Sequence, residues 1–94
     1  MRSYSIFTNI LTELLRYSKK NDSATSTYKD LVEIQELETR VNNCFRHGYL
    51  NYNEYRILVD TCCHIKAEMK AIVKLNQEVK AIEKRIRKGR FIPA

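Results

Sequence analysis

No glycine or proline interrupts the chain between Tyr52 and Lys88. These are the two residues that most readily break a helix, glycine through backbone freedom and proline by removing a donor and crowding the preceding turn. The stretch therefore predicts one continuous helix over residues 52–88, about 55 Å long at ~1.5 Å per residue. A chain of 94 residues has little else with which to cover a rod of that length. Its start is marked locally. Asn51-Tyr52-Asn53-Glu54 has the spacing of a capping box, and Leu50 and Tyr55 occupy the flanking staple positions. Gly48 stands where a preceding helix needs a left-handed cap, and Gly89 and Pro93 read as the far stop and a frayed terminus. The short connection from Gly48 to Asn51 predicts an antiparallel helical hairpin.

Two more helices complete an all-α reading of residues 1–94 as a single helical domain. The first spans about 5–19, where Ile6, Phe7, Ile10, Leu11, Leu14 and Leu15 recur at three- and four-residue steps and Lys19-Lys20 suits the negative end of the helix dipole. Small polar residues over 20–26 read as a loop. The second helix spans about 27–47, with Asp30 in its first turn and Leu31, Ile34, Leu37, Val41, Cys44 and Phe45 on one face. At about 20 residues it covers only some 30 Å of the third. The rest of the third helix must lie on the first helix, pair with another chain or project as an arm.

The third helix carries a heptad seam that includes Leu58, Ile65, Met69, Ile72, Asn76, Val79 and Ile86. Asn76 is its polar member. Such a residue can fix register and strand number by pairing with its own copy. The competing reading lets the apolar face drift after Ile72 to Leu75, Val79, Ile82 and Ile86, leaving Asn76 solvated, because 3.6 does not divide seven. Both readings leave an apolar stripe that needs a partner. The expected assembly is a helical-bundle or coiled-coil homo-oligomer, a dimer above all.

The net charge is +6, and its placement is informative. Beyond Lys80 lie Lys84, Arg85, Arg87, Lys88 and Arg90, and only Glu83 opposes these six positive residues. They read as a contact for an acidic protein or for phosphates. A solvated helix end complementing the dipole accounts for the last turn but not for Lys80. A second candidate surface is the hairpin tip, where Arg46, His47, Tyr49, Tyr52 and Arg56 cluster. Tyr and Arg dominate interface hot spots, although tyrosines here also have capping work to do.

Catalytic and metal chemistry find no support. In Cys62-Cys63-His64, neighbouring residues of a helix diverge by about 100° and cannot converge on one ion. Cys44 lies too far along the hairpin to bridge to Cys62, so the cysteines read as small apolar residues. No partner is spaced to make His47 or His64 a general base. The carboxylates of Glu33, Glu36, Glu38, Glu54, Asp60, Glu68 and Glu78 are interleaved with cations, and Glu36–Arg40 and Asp60–His64 are helix-spaced pairs. Gly48 and Gly89 stand alone, so there is no phosphate loop and no cofactor is expected.

Asn9, Thr12 and Glu13 break up any signal-peptide core, and three cysteines in no framework suit a reducing compartment. An intracellular, cytoplasmic protein is expected, in the host cytoplasm if the source is viral. The expected function is binding without catalysis, as a small adaptor, inhibitor or assembly and regulatory factor with a protein partner. The alternative is a dimeric nucleic-acid-binding regulator using the basic helix end. A membrane role is disfavoured by the absence of Trp and of a sharply divided polar face. In size and architecture the chain resembles the small helical regulators and inhibitors encoded by phages and mobile elements.

Overall fold

The computed structural model describes the backbone of residues 2–90 and the side chains of residues 6–87. These residues form three α-helices and no strand: α1 (Arg2–Asp22), α2 (Tyr28–Arg46) and α3 (Tyr52–Arg90). The all-helical class read from the sequence holds. The molecule measures 69 × 20 × 15 Å, with its length set by the 39 residues of α3.

α2 and the start of α3 lie within a residue of the expected bounds, and the differences sit at the ends of α1 and at the end of α3. α1 runs past Lys19 and stops in a Schellman arrangement, in which Thr25 N–H donates to the Lys20 carbonyl and Ala24 N–H to that of Asn21, both at 3.0 Å. The left-handed residue of this motif is Ala24, at φ 56°. Glycine usually occupies that position, so the stop carries no glycine signal and the connection shrinks to residues 23–27. Gly48, at φ 80°, makes the same device at the end of α2, with Tyr49 N–H donating to the Cys44 carbonyl at 2.9 Å.

Thr27 caps α2 in a reciprocal box with Asp30. The Thr27 hydroxyl accepts from Asp30 N–H at 3.2 Å, and the Asp30 carboxylate accepts from Thr27 N–H at 2.9 Å. The box at the start of α3 also closes both ways, through Glu54 N–H to Asn51 at 2.8 Å and Asn51 N–H to Glu54 at 3.0 Å. α3 continues through Gly89 to Arg90 rather than stopping at the glycine. One helical glycine costs only about 1 kcal/mol relative to alanine, too little to end a helix of this length. Pro93 lies outside the described residues.

The core collects Ile10 and Leu14 of α1, Ile34 and Val41 of α2, and Leu58, Cys62, Ile65, Met69 and Val73 of α3. Between α1 and α2, the Tyr17 hydroxyl donates to Glu33 at 2.6 Å and Arg40 reaches Glu13 at 3.2 Å. Between α2 and α3, Phe45 stacks on Tyr55 at 4.1 Å, the Tyr55 hydroxyl donates to Asn42 at 2.9 Å, and Lys66 pairs with Glu38 at 2.8 Å. The partners step down α2 as they step up α1 and α3.

A polar knot ties the α1–α2 connection to α3. The Asn21 side-chain amide donates to the Ile65 carbonyl at 3.1 Å and accepts from the Ser26 hydroxyl at 2.6 Å, and both side chains are buried. Beside it Asp30, also buried, pairs with Lys20 at 2.8 Å. Burial pushes the Asp30 carboxyl upward, but bonds from Lys20 and from the backbone and hydroxyl of Thr27 outweigh it and hold the group below its ordinary value of 3.8.

Two outcomes follow. Asn21→Ala leaves the Ser26 hydroxyl buried without its partner and lowers stability by about 1–3 kcal/mol in urea unfolding. Because the folded pKa of Asp30 is depressed, its stabilising contribution is complete above the ordinary value near 3.8 and is lost as pH falls through the lower folded value. Unfolding midpoints measured from pH 6 down to pH 2 should fall more steeply for the wild type than for Asp30→Asn.

Candidate functional site

The face of α3 turned toward the bundle is defined by Leu58, Cys62, Ile65, Met69 and Val73, all buried. Continued at the same helical spacing, that face reads Asn76, Lys80, Glu83 and Arg87. The apolar stripe that holds the bundle together therefore ends at Val73. The α1–α2 connection ends there too, and its last bond to α3 runs from the Asn76 amide to the carbonyl of Ala24 at 3.2 Å. From Gln77 onward α3 projects as an arm of about 20 Å.

The arm is not polar all round. Leu75, Val79, Ile82 and Ile86 follow one another at steps of four, three and four, and each is 44–59% exposed. They share a stripe roughly a quarter-turn around α3 from the core face. Exposed apolar residues scattered singly need no explanation, but four in register on one helix face do. At the base of the arm, Thr25, Ser26, Thr27 and Tyr28 on one side and Val73, Asn76, Val79 and Lys80 on the other line a groove of about 430 Å³. Tyr28, itself 65% exposed, forms part of its wall.

The seam read from the sequence is thus divided. Leu58, Ile65 and Met69 lie in the chain's own core and are closed to a partner, and Ile72 is half-buried. Asn76 is half-buried, and its amide donates to the Ala24 carbonyl at 3.2 Å. Val79 and Ile86 are exposed, and they belong with Leu75 and Ile82 to the drifted stripe.

Lys80, Lys84, Arg85 and Arg87 are all exposed, and none joins an ion pair among the described residues. Lys80, Lys84 and Arg87 occupy the side of the arm away from the apolar stripe. The side chains of Lys88 and Arg90 lie outside the described residues. The hairpin-tip group sits at the other end of α3. There Arg46, His47, Tyr49, Tyr52 and Arg56 are exposed, Tyr52 tilts against Phe45 at 6.5 Å, and Arg56 approaches Asp60 at 4.0 Å. The two candidate surfaces are separated by most of the helix and cannot act on one small ligand.

Burial, reinforced by Glu38, pushes the Cys62 thiol up to about 11, so the thiolate needed for nucleophilic or metal chemistry is suppressed. Cys63 next to it is exposed on another face, and among the described residues no three metal-ligating side chains converge. Burial and the bond to Glu33 raise Tyr17 to about 12. Two ion pairs expected from helix spacing are replaced. Arg40 reaches across to Glu13 rather than to Glu36, while Asp60 faces Arg56 and His64 faces Glu68 at 3.6 Å. No helix among the described residues is long and apolar enough to cross a membrane.

The exposed stripe was open to sequence reading as the drifted face. The groove was not, because it depends on the Schellman turn at Ala24 delivering Tyr28 beside the arm. Comparison with protein-family models, with curated proteins and with solved structures gave no match.

Asn76→Ala removes the tie between the connection and α3, and should lower stability by about 0.5–1.5 kcal/mol in denaturant unfolding. Its mass in light scattering should not change. A shift in oligomeric state would make Asn76 a self-pairing seam residue that sets strand number.

Proposed function

We propose that this chain is a non-catalytic, macromolecule-binding protein: an antiparallel α2–α3 hairpin, braced by α1, that presents the projecting end of α3 to a partner. It works as a small adaptor, inhibitor or assembly and regulatory factor, and it self-associates as a homodimer in a coiled-coil manner. The observation that carries this reading is the stripe of Leu75, Val79, Ile82 and Ile86, exposed on a helix that has left its own bundle. Each is already about half covered, so burying the remainder is worth on the order of 1 kcal/mol apiece, and the stripe favours association. The three free cysteines support an intracellular, reducing setting. Size and architecture keep the likeness to regulators of phages and mobile elements in view.

A second reading rests on its own observation. Lys80, Lys84, Arg85 and Arg87 are exposed and unpaired among the described residues, on an arm whose apolar stripe lies elsewhere. Such a patch suits a phosphate backbone as well as an acidic protein.

Val79→Glu with Ile82→Glu separates the readings. The double variant should keep its helical content and lose association in light scattering, because both substitutions fall outside the core. Fluorescence anisotropy with DNA and RNA at two salt concentrations tests the second reading. Phosphate binding must weaken steeply with salt and vanish when Lys84, Arg85 and Arg87 are replaced by Gln. Absence of binding at low salt removes it.

A further inference from the structure

We infer that the arms of two copies pair with each other antiparallel, with Leu75 packed on the partner's Ile86 and Val79 on the partner's Ile82. This deepens the association proposed above and rests on it. On the arm, Val79 and Ile86 take one heptad position of the exposed stripe and Leu75 and Ile82 the other. In an antiparallel pair each such position faces the other kind, and this register fills every layer of the stripe, twice over by symmetry.

Charge selects this orientation. Glu78 and Arg85 flank the stripe on one side and Asn76 and Glu83 on the other. In a parallel, in-register pair, Glu78 of one copy faces the partner's Glu83, a like-charge contact on both sides of the axis. In the antiparallel register Glu78 faces the partner's Arg85, and Arg85 faces the partner's Glu78. Glu83 meets the partner's Asn76, which is neutral. Both carboxylates and the guanidinium are exposed and free of ion pairs among the described residues, so a partner can reach them.

A seam of two heptads would be too short to nucleate from disordered chains. Here the nucleus exists already, because the arm continues a helix held by the bundle from Leu58 to Val73. Lys80, Lys84 and Arg87 stay outside the seam, so pairing leaves them available.

The test is a charge swap read by analytical ultracentrifugation on the full chain. Glu78→Lys and Arg85→Glu should each raise the dimer dissociation constant about fivefold or more, and the double variant should restore it. In a parallel dimer Glu78→Lys would instead face the partner's Glu83 and tighten association. A spin label on exposed Cys63, in a Cys44→Ala background, provides a readout that leaves the arm unaltered. The antiparallel register separates the two labels by on the order of 50 Å, whereas parallel arms bring them within about 20 Å. The longer distance with rescue by the double swap supports the proposal. The shorter distance, or tightening by Glu78→Lys, overturns it and leaves homodimerisation intact. A monomer at all concentrations overturns both.

Discussion

The apolar face that α3 turns toward its own bundle is finite. From Leu58 to Val73 every core-facing position is buried, and at Asn76, Lys80, Glu83 and Arg87 the same face becomes polar and charged. Helices pack for as long as burial of side chains on the shared face outweighs the entropy of ordering them. Past Val73 that return stops, so α1 and α2 have nothing to lie against and the chain between them turns back. The arm exists because of this change of side chain, and the helix itself continues because nothing in its backbone chemistry ends it.

That boundary is held by polar contacts. Asn21, Ser26 and Asp30 are buried at the turn-back point, and their bonds to the Ile65 carbonyl, to one another and to Lys20 fix where the α1–α2 connection sits on α3. The bond from Asn76 to Ala24 marks its last contact. A purely apolar junction would let α1 slide along α3, since apolar contacts are non-directional. A buried amide that must meet one carbonyl allows a single register. The position of the groove beside Tyr28, and hence the surface at the base of the arm, depends on that register.

Helix content and the start of α3 were readable from sequence because their signals are local. Asn51–Glu54 and Gly48 each act over a few residues, and the structure has both devices closed. The end of α1 was not readable, because alanine stands where a left-handed residue is needed and alanine carries no such signal. The Thr27–Asp30 box is half visible in sequence, because an aspartate in the first turn is a local signal and its reciprocal bond to the Thr27 backbone is not. The seam was harder still. Periodicity shows that Leu58, Ile65, Met69, Val79 and Ile86 are apolar and nearly aligned, but not which of them the chain itself buries. That depends on where α1 and α2 run out, a tertiary fact. The partition of Arg40 toward Glu13 rather than Glu36 has the same origin, since an intrahelical rule cannot see a neighbouring helix.

α3 has two parts, a bundled part packed on its own chain and an arm whose apolar stripe stands exposed. Hydrogen exchange along α3 at rising protein concentration tests this directly. Amides from Leu58 to Val73 should be protected to the same degree at every concentration, while those from Val79 to Arg87 exchange fast when dilute and gain protection as copies associate. Protection of the arm equal to that of the bundle in dilute solution, or exchange there that stays fast at every concentration, would contradict it.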